Sequence, residues 1–403
     1  MPQEGRDNAR GSNSRHILVL LLLIFSLTGF LYHHVFDSSL HGGDFAMIFN
    51  AARALRKGLS EYAAPPGRVR YVYSPLVALA LHPMTRMSVE LAIHVWFFIC
   101  ILFVLSSIAF YARSAGIRLR DSGTLAVLFV VAFYFRPTTL EFLHGQFNTP
   151  MLALVSAAYL ADRRGRFYLL ASLLAIAGLI KIWLLGLLVY LLVRRVPRAF
   201  IWGVVFHLLC LAGLFAKVGW NEAAAFYRIT TTFLHRENDF GNQSILGFAR
   251  IRFAPSLVAD PIVVSPLLLY LTVAIGFAAL AYGLWFAYRV GKTKQPSQMR
   301  LMFGLTIASL LLGLPMCERP YFILLLPALW TLLTDDATPT VSRLAAVGIY
   351  VVFTFIFSPP AHAAPGWDSW SYSAFFFATA ALWLVLLLTL TAQVGSERGV
   401  AAG

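Results

Sequence analysis

Apolar runs broken by short polar segments dominate this chain from one end to the other. Runs long enough to cross about 30 Å of hydrocarbon fall near residues 16 to 36, 88 to 112, 199 to 216, 264 to 288, 342 to 358 and 371 to 393. Shorter runs near 123 to 135, 147 to 161, 167 to 180, 182 to 193, 301 to 314 and 320 to 334 require polar ends or burial to join them. The expected fold is an all-α polytopic membrane protein of about twelve spans, one membrane domain over residues 1 to 403. Charged residues make up 12% of the positions, about half of what a soluble domain carries, which excludes the soluble classes.

The formal charge of +14 raises the question of nucleic acid. No basic block interleaved with aromatics is present, and the cations recur in short clusters between apolar runs, so the charge reads as topology. Arg113, Arg118 and Arg120, then Arg163, Arg164 and Arg166, then Arg194, Arg195 and Arg198, then Arg289, Lys292, Lys294 and Arg300 fall on one side if the N-terminus is cytosolic. The short loops on the other side carry only Arg136, Lys181 and Arg319. That asymmetry predicts a plasma-membrane protein with the clusters inside. Arg6, Arg10 and Arg15 precede the first run, but no small-residue cleavage site follows it, so the run is expected to be a retained span after a cytosolic tail at 1 to 15. Residues 394 to 403 form the second tail. Cys100, Cys210 and Cys317 are too scattered for a disulfide framework or a zinc site.

Two outer segments are long, 37 to 87 and 217 to 263. In the first, Phe45, Ile48, Phe49, Ala52 and Leu55 recur at helical spacing opposite Arg53, Arg56 and Lys57, and Gly58 stops the pattern. The spacing predicts an amphipathic helix lying in the interface. The second predicts a helix over about 221 to 235 and then the polar turn Glu237 to Ser244. Neither segment alternates strands and helices, and no Gly-x-Gly-x-x-Gly occurs, so no nucleotide-binding domain is expected. An enzyme acting on the outer side would take activated groups from lipid carriers.

Asp44 follows two glycines beside the first span, where lipid-borne substrates present their polar heads. A carboxylate there suits a general base; a helix N-cap is the other reading. Lys181 interrupts an apolar stretch from Phe167 to Val193, a functional candidate by depth alone, or a residue in a bend that reaches water. Arg319 lies between two apolar spans, suited to a phosphate or to snorkelling. Gln146 and Asn148 open a span, and Asn242 and Gln243 sit in a turn, where amides either grip sugar hydroxyls or serve caps. Tyr71 and Tyr73 fit a substrate groove or an interfacial aromatic belt, as do Trp367, Asp368 and Trp370 for the belt alone. Glu141 and Glu318 are alternative bases. The histidines show no metal-ligand spacing, and no cofactor is expected.

The stretches Gly43-Asp44-Phe45, Leu55-Arg56-Lys57-Gly58, Tyr71-Val72-Tyr73-Ser74-Pro75-Leu76, His144-Gly145-Gln146-Phe147-Asn148, Lys181, Asn242-Gln243-Ser244 and Arg319-Pro320-Tyr321-Phe322 occur in an order that resembles family 87 of the glycosyltransferases, the polyprenyl-phosphate-mannose-dependent enzymes of the membrane-embedded C superfamily. Two departures stand out. Tyr73-Ser74-Pro75 replaces a frequent Tyr-Pro-Pro, and Glu318-Arg319 stands where many members have a histidine.

The resemblance implies a C-superfamily fold and inverting transfer of a hexose, mannose, from a polyprenyl-phosphate sugar to a lipid- or glycan-linked acceptor among membrane lipids. It implies Asp44 as the base and Arg319 and Lys181 as donor-phosphate contacts. Tyr71, Tyr73, Gln146, Asn148, Asn242, Gln243, Glu318 and Tyr321 would bind substrate. Two alternatives stay open: a transporter of a lipid-linked substrate, for which the spans offer few polar groups beyond Lys181 and His207, and a lipid-diphosphate-dependent ligase or polymerase using Arg228, Arg236, Arg250 and Arg252.

Overall fold

The structure is a computed structural model that describes residues 28–30, 43–62, 71–118, 120–234, 242–255, 261–355 and 373–402. The expected first span outside 28–30, the residues from Arg236 to Gly241 and the Trp367, Asp368 and Trp370 belt lie outside the described residues. Hydrocarbon offers no hydrogen-bond partners to a backbone, so a chain this apolar closes its bonds within helices. Among the described residues there is no strand.

The first elements are α1 (Gly43–Arg56) and α2 (Pro75–Leu81), followed by α3 (Val89–Ala115), α4 (Ser122–Tyr134) and α5 (Arg136–His144). Next come α6 (Asn148–Arg163), α7 (Phe167–Ile180), a 3-10 turn (Ile182–Leu188) and α8 (Val189–Val193). Then α9 (Pro197–Val218), α10 (Trp220–Leu234), α11 (Ile245–Phe253), α12 (Pro266–Val290) and α13 (Pro296–Gly313). A second 3-10 turn (Arg319–Leu325) leads to α14 (Leu326–Thr334), α15 (Thr340–Phe355) and α16 (Ala374–Ala402).

Local chemistry sets these limits. The Ser88 and Ser265 side chains accept N–H bonds from Leu91 and Leu268 at the starts of α3 and α12, and α3 ends on Gly116 in the left-handed region at φ 78°. Prolines open α9 and α13, where the missing N–H costs nothing. Four described helices, α3, α9, α12 and most of α16, are long and apolar enough to cross a bilayer singly, and α4 with α5, bent by 49°, makes a fifth. The expected count of twelve therefore depends on the shorter helices and on residues outside the description. Helix α12 leaves Leu267 and Tyr270 more than two-thirds exposed, as a lipid-facing helix does.

The interior is built on α6, which packs against α3 on one side and α7 on the other. Its N-terminus and its C-terminus, about 24 Å apart at 1.5 Å per residue, carry two different polar centres. At the C-terminal end Asp162 pairs with Arg194 at 3.1 Å and takes the Tyr190 hydroxyl. Arg194 also donates to the carbonyls of Gly291 and Thr293, and Arg300 pairs with Asp335 close by. Arg163 and Arg300 line one small cavity, so arginine clusters from distant parts of the chain meet at this end. Asp44, Gln146, Lys181 and Glu318 gather at the other.

The expected amphipathic helix is α1: Phe45, Ile48, Phe49 and Ala52 are buried while Arg53 and Lys57 are exposed. Gly58 follows at φ 70°. The expected helix over 221 to 235 is α10.

Candidate active site

Asp44 stands in the first turn of α1, where a negative side chain complements the helix dipole. Its side chain is half-buried, and Gln146 Nε2 donates to its Oδ2 at 2.6 Å. Gln146 is placed by Gly145, which ends α5 at φ 66° and lies so close to α1 that a Cβ there would sit 2.6 Å from Phe45 Cβ. Only glycine lets the two segments touch at that conformation.

Behind Gln146 the buried carboxylate of Glu141 holds the start of α6. Its Oε1 accepts the backbone N–H of Asn148 at 2.6 Å and of Thr149 at 3.2 Å, and its Oε2 accepts from Asn148 Nδ2 at 2.6 Å. Asn148 Nδ2 also donates to Gln146 Oε1 at 2.8 Å. Glu141 is thus committed to orienting amides. An acid at a helix N-terminus satisfies donors that have no intrahelical partner.

Lys181 breaks the helix between α7 and the 3-10 turn and points inward, 9% exposed. Its Nζ donates to Asn148 Oδ1 at 3.1 Å and Gln146 Oε1 at 3.4 Å. It lies 3.9 Å from the Tyr321 ring centroid and 5.0 Å from that of Tyr73, within the reach of cation–π attraction. Gln146 therefore bridges the two charged groups, donating to the carboxylate and accepting from the ammonium. Glu318 completes the cluster, its carboxyl near Tyr321 and Gln146. Burial raises its carboxyl above the ordinary value, Lys181 pulls it back and Asp44 adds to the rise.

A cavity of about 50 Å3 opens beside Lys181, walled by Tyr73, Trp183, Phe226 and Tyr321 with Val72 and Ile180. The two aromatics Trp183 and Tyr321 stack at 5.0 Å, and α10 supplies Phe226. Among the described residues no cluster of three His, Cys, Asp or Glu is set to hold a metal ion.

Asp44, Tyr73, Gln146, Asn148, Lys181, Glu318 and Tyr321 thus share one site. The structure shows other contacts for the four further expected residues. The Tyr71 hydroxyl donates to the Ser74 carbonyl and accepts from Ala78 N–H, fastening the entry to α2. Asn242 Nδ2 donates to the Pro315 carbonyl and its Oδ1 accepts from Ser244 and Cys317 N–H. Gln243 N–H donates to the Cys317 carbonyl and Gln243 Oε1 accepts from Phe376 N–H. These amides brace the loop that delivers Glu318. The Arg319 guanidinium lies 5.9 Å from the Phe375 ring centroid. Sequence reasoning had no place for Trp183 or Phe226; a tryptophan two positions after a buried lysine was the available signal.

Comparison with known proteins adds three findings. No curated protein matches the chain. Among solved structures, the crystal structure of ArnT from Cupriavidus metallidurans bound to undecaprenyl phosphate is similar at 15% identity and a TM-score of 0.44, covering 94% of this chain and 78% of that one. The sequence profile of glycosyltransferase family 87 matches residues 71–315. That match spans more than half of the sequence, takes in Tyr73, Gln146, Asn148 and Lys181, and falls on an all-helical membrane body: the chain belongs to glycosyltransferase family 87.

Proposed function

We propose that the protein transfers a hexose, mannose, from a polyprenyl-phosphate carrier to a lipid- or glycan-linked acceptor on the outer face of the plasma membrane, with inversion at the anomeric carbon. The observation that carries this reading is the Asp44–Gln146–Lys181 bridge: a half-buried carboxylate and a buried cation held apart by one amide. Inverting transfer asks for that pair. The acceptor oxygen attacks the anomeric carbon as its bond to the phosphate oxygen breaks. The acceptor's proton goes to Asp44, and the bonding electrons leave with the phosphate, whose growing charge is met by Lys181.

Gln146 fixes Oδ2 of Asp44, so the remaining oxygen takes the proton. Burial favours the neutral form of Glu318, which limits the negative charge facing an anionic donor. The aromatic and aliphatic walls beside Lys181 suit a prenyl stem entering from between helices. The arginine clusters at the far end of α6 support the orientation, since positive loops stay cytosolic.

The test is transfer of radiolabelled sugar from polyprenyl-phosphate-mannose to candidate lipid acceptors by the purified protein in liposomes. Wild-type transfer is expected, with kcat lowered about 10²- to 10⁴-fold in Asp44→Asn. Undiminished transfer by Asp44→Asn removes the base, and movement of lipid across the vesicle without any transfer favours a transporter.

A further inference from the structure

Helices α12 and α16 both pack on α13 and press together at one level, where the Trp383 ring occupies the space that a Cβ on Gly283 would need. Trp383 Nε1 donates to Ser309 Oγ of α13 at 2.9 Å, which locks the three helices there. Past that seal a groove of about 650 Å3 opens between α12 and α16, walled by Trp285, Phe286 and Val394, with buried Gln298 of α13 among its lining. Arg194 holds the carbonyl of Thr293 at its rim, so the groove lies at the arginine-cluster end of α6, away from Asp44. An interfacial aromatic belt calls for exposed rings, and Trp285 is about half exposed, but a belt does not call for a groove.

We propose that this groove seats one acidic phospholipid of the surrounding leaflet, its phosphate on the Arg289 guanidinium and an acyl chain along Phe286, Trp285 and Val394. Charge selects the occupant. Arg194 and Arg300 at this end are each paired with an aspartate, whereas among the described residues Arg289 has no carboxylate partner and no carboxylate lines the groove. The Arg289 guanidinium lies 5.2 Å from the Trp285 ring centroid, within cation–π reach, and its planar fork of N–H donors suits phosphate oxygens. The Thr391 hydroxyl is already spent on the Leu387 carbonyl of its own helix, so head recognition falls to Arg289. Lys292 and Lys294, both exposed, flank Thr293 at the rim. A net-negative head is attracted by all three cations, but a zwitterionic head would bring its own cation against the two lysines.

The experiment is native mass spectrometry of the full-length protein, released from detergent after titration with dioleoyl phosphatidylglycerol or with dioleoyl phosphatidylcholine, which share the same chains. One phosphatidylglycerol is expected to bind about tenfold more tightly than phosphatidylcholine, and Arg289→Gln to weaken it about tenfold, as loss of a charge-assisted hydrogen bond implies. Arg113→Gln removes an exposed cation at the end of α3, outside the groove, and should change nothing. Gly395 lines the groove and a Cβ there meets no atom within 4 Å, so Gly395→Trp should fill the space and abolish the bound lipid with the melting temperature unchanged. Equal binding of the two lipids, wild-type affinity in Arg289→Gln, or equal weakening by Arg113→Gln overturns the proposal. A dimer in place of the lipid-bound monomer, lost in Gly395→Trp, would give the groove to a second copy of the chain and overturn it as well.

Discussion

Gln146 Nε2 donates to Asp44 Oδ2 at 2.6 Å across 102 positions of sequence, and the same side chain accepts from Lys181. A residue that touches both charges sets their separation without carrying charge itself. Gln146→Leu keeps the volume and removes both bonds. It is expected to lower kcat about tenfold while leaving KM for the donor within a factor of about two, measured by initial rates of sugar transfer in liposomes. A pure KM effect would count against the bridge.

Gly145 sets the distance between α5 and α1. A side chain at its positive φ is strained, and a Cβ 2.6 Å from Phe45 Cβ displaces one segment. Gly145→Ala is expected to cost about 1–3 kcal/mol and to lower transfer as much as Gln146→Leu does, because Gln146 moves with its neighbour. Thermal unfolding in detergent gives the first and the transfer assay the second.

Glu141 accepts three hydrogen bonds at the N-terminus of α6 while fully buried. Glu141→Leu strands the Asn148 and Thr149 N–H groups and is expected to destabilise the protein by about 2–4 kcal/mol. Glu141→Gln keeps one acceptor oxygen and should lose less than half of that. Equal losses would show that the carboxylate does not hold the helix end.

The parts of this site that were legible in the sequence are local ones. Phe45, Ile48, Phe49 and Ala52 announce α1 because one helix face must be apolar, and Lys181 stands out because charge in an apolar run is costly. Long-range partners leave no such mark. Asn242 and Gln243 are two amides in a polar turn, and nothing near them in sequence says that their acceptors and donors lie at Pro315, Cys317 and Phe376. Glu318 lies near Lys181 and Asp44 while its neighbour Arg319 lies near Phe375, and which of the two meets Lys181 depends on where Asn242 fastens the loop. The order of short motifs is what favours Asp44 as a base; its position alone fits a base and a cap equally.

Glu61 makes one clamp sensitive to pH. Burial, with Glu222 adding to it, pushes its carboxyl from 4.5 up to about 8. It sits between Ser60, which binds Glu222 on α10, and Tyr62, whose hydroxyl donates to the Tyr73 carbonyl at 2.9 Å. A carboxyl raised on folding adds stability that is complete below about 4.5 and lost as pH rises through about 8. Hydrogen exchange at residues 60–62 and 222–230, corrected for intrinsic rates, is therefore expected to accelerate between about pH 5 and 8, within that window. Glu61→Gln should remove the acceleration. Acceleration that persists in Glu61→Gln would point to another group.

The far end of α6 offers a control independent of chemistry. Asp162 and Arg194 are buried together, and Arg194 also holds the Gly291 and Thr293 carbonyls, closing the turn between α12 and α13. Removing one partner leaves the other charge buried alone, so Arg194→Met is expected to cost about 3–5 kcal/mol. Removing both takes away the stranded charge, and the double variant Asp162→Leu with Arg194→Met should be the more stable of the two despite carrying more substitutions. Because Asp44 lies a full helix length away, both variants are expected to keep wild-type kcat per folded molecule, read from transfer rates normalised to the folded fraction. A double variant less stable than Arg194→Met would mean that the hydrogen bonds of Asp162 to Tyr190, and not charge compensation, hold this end together.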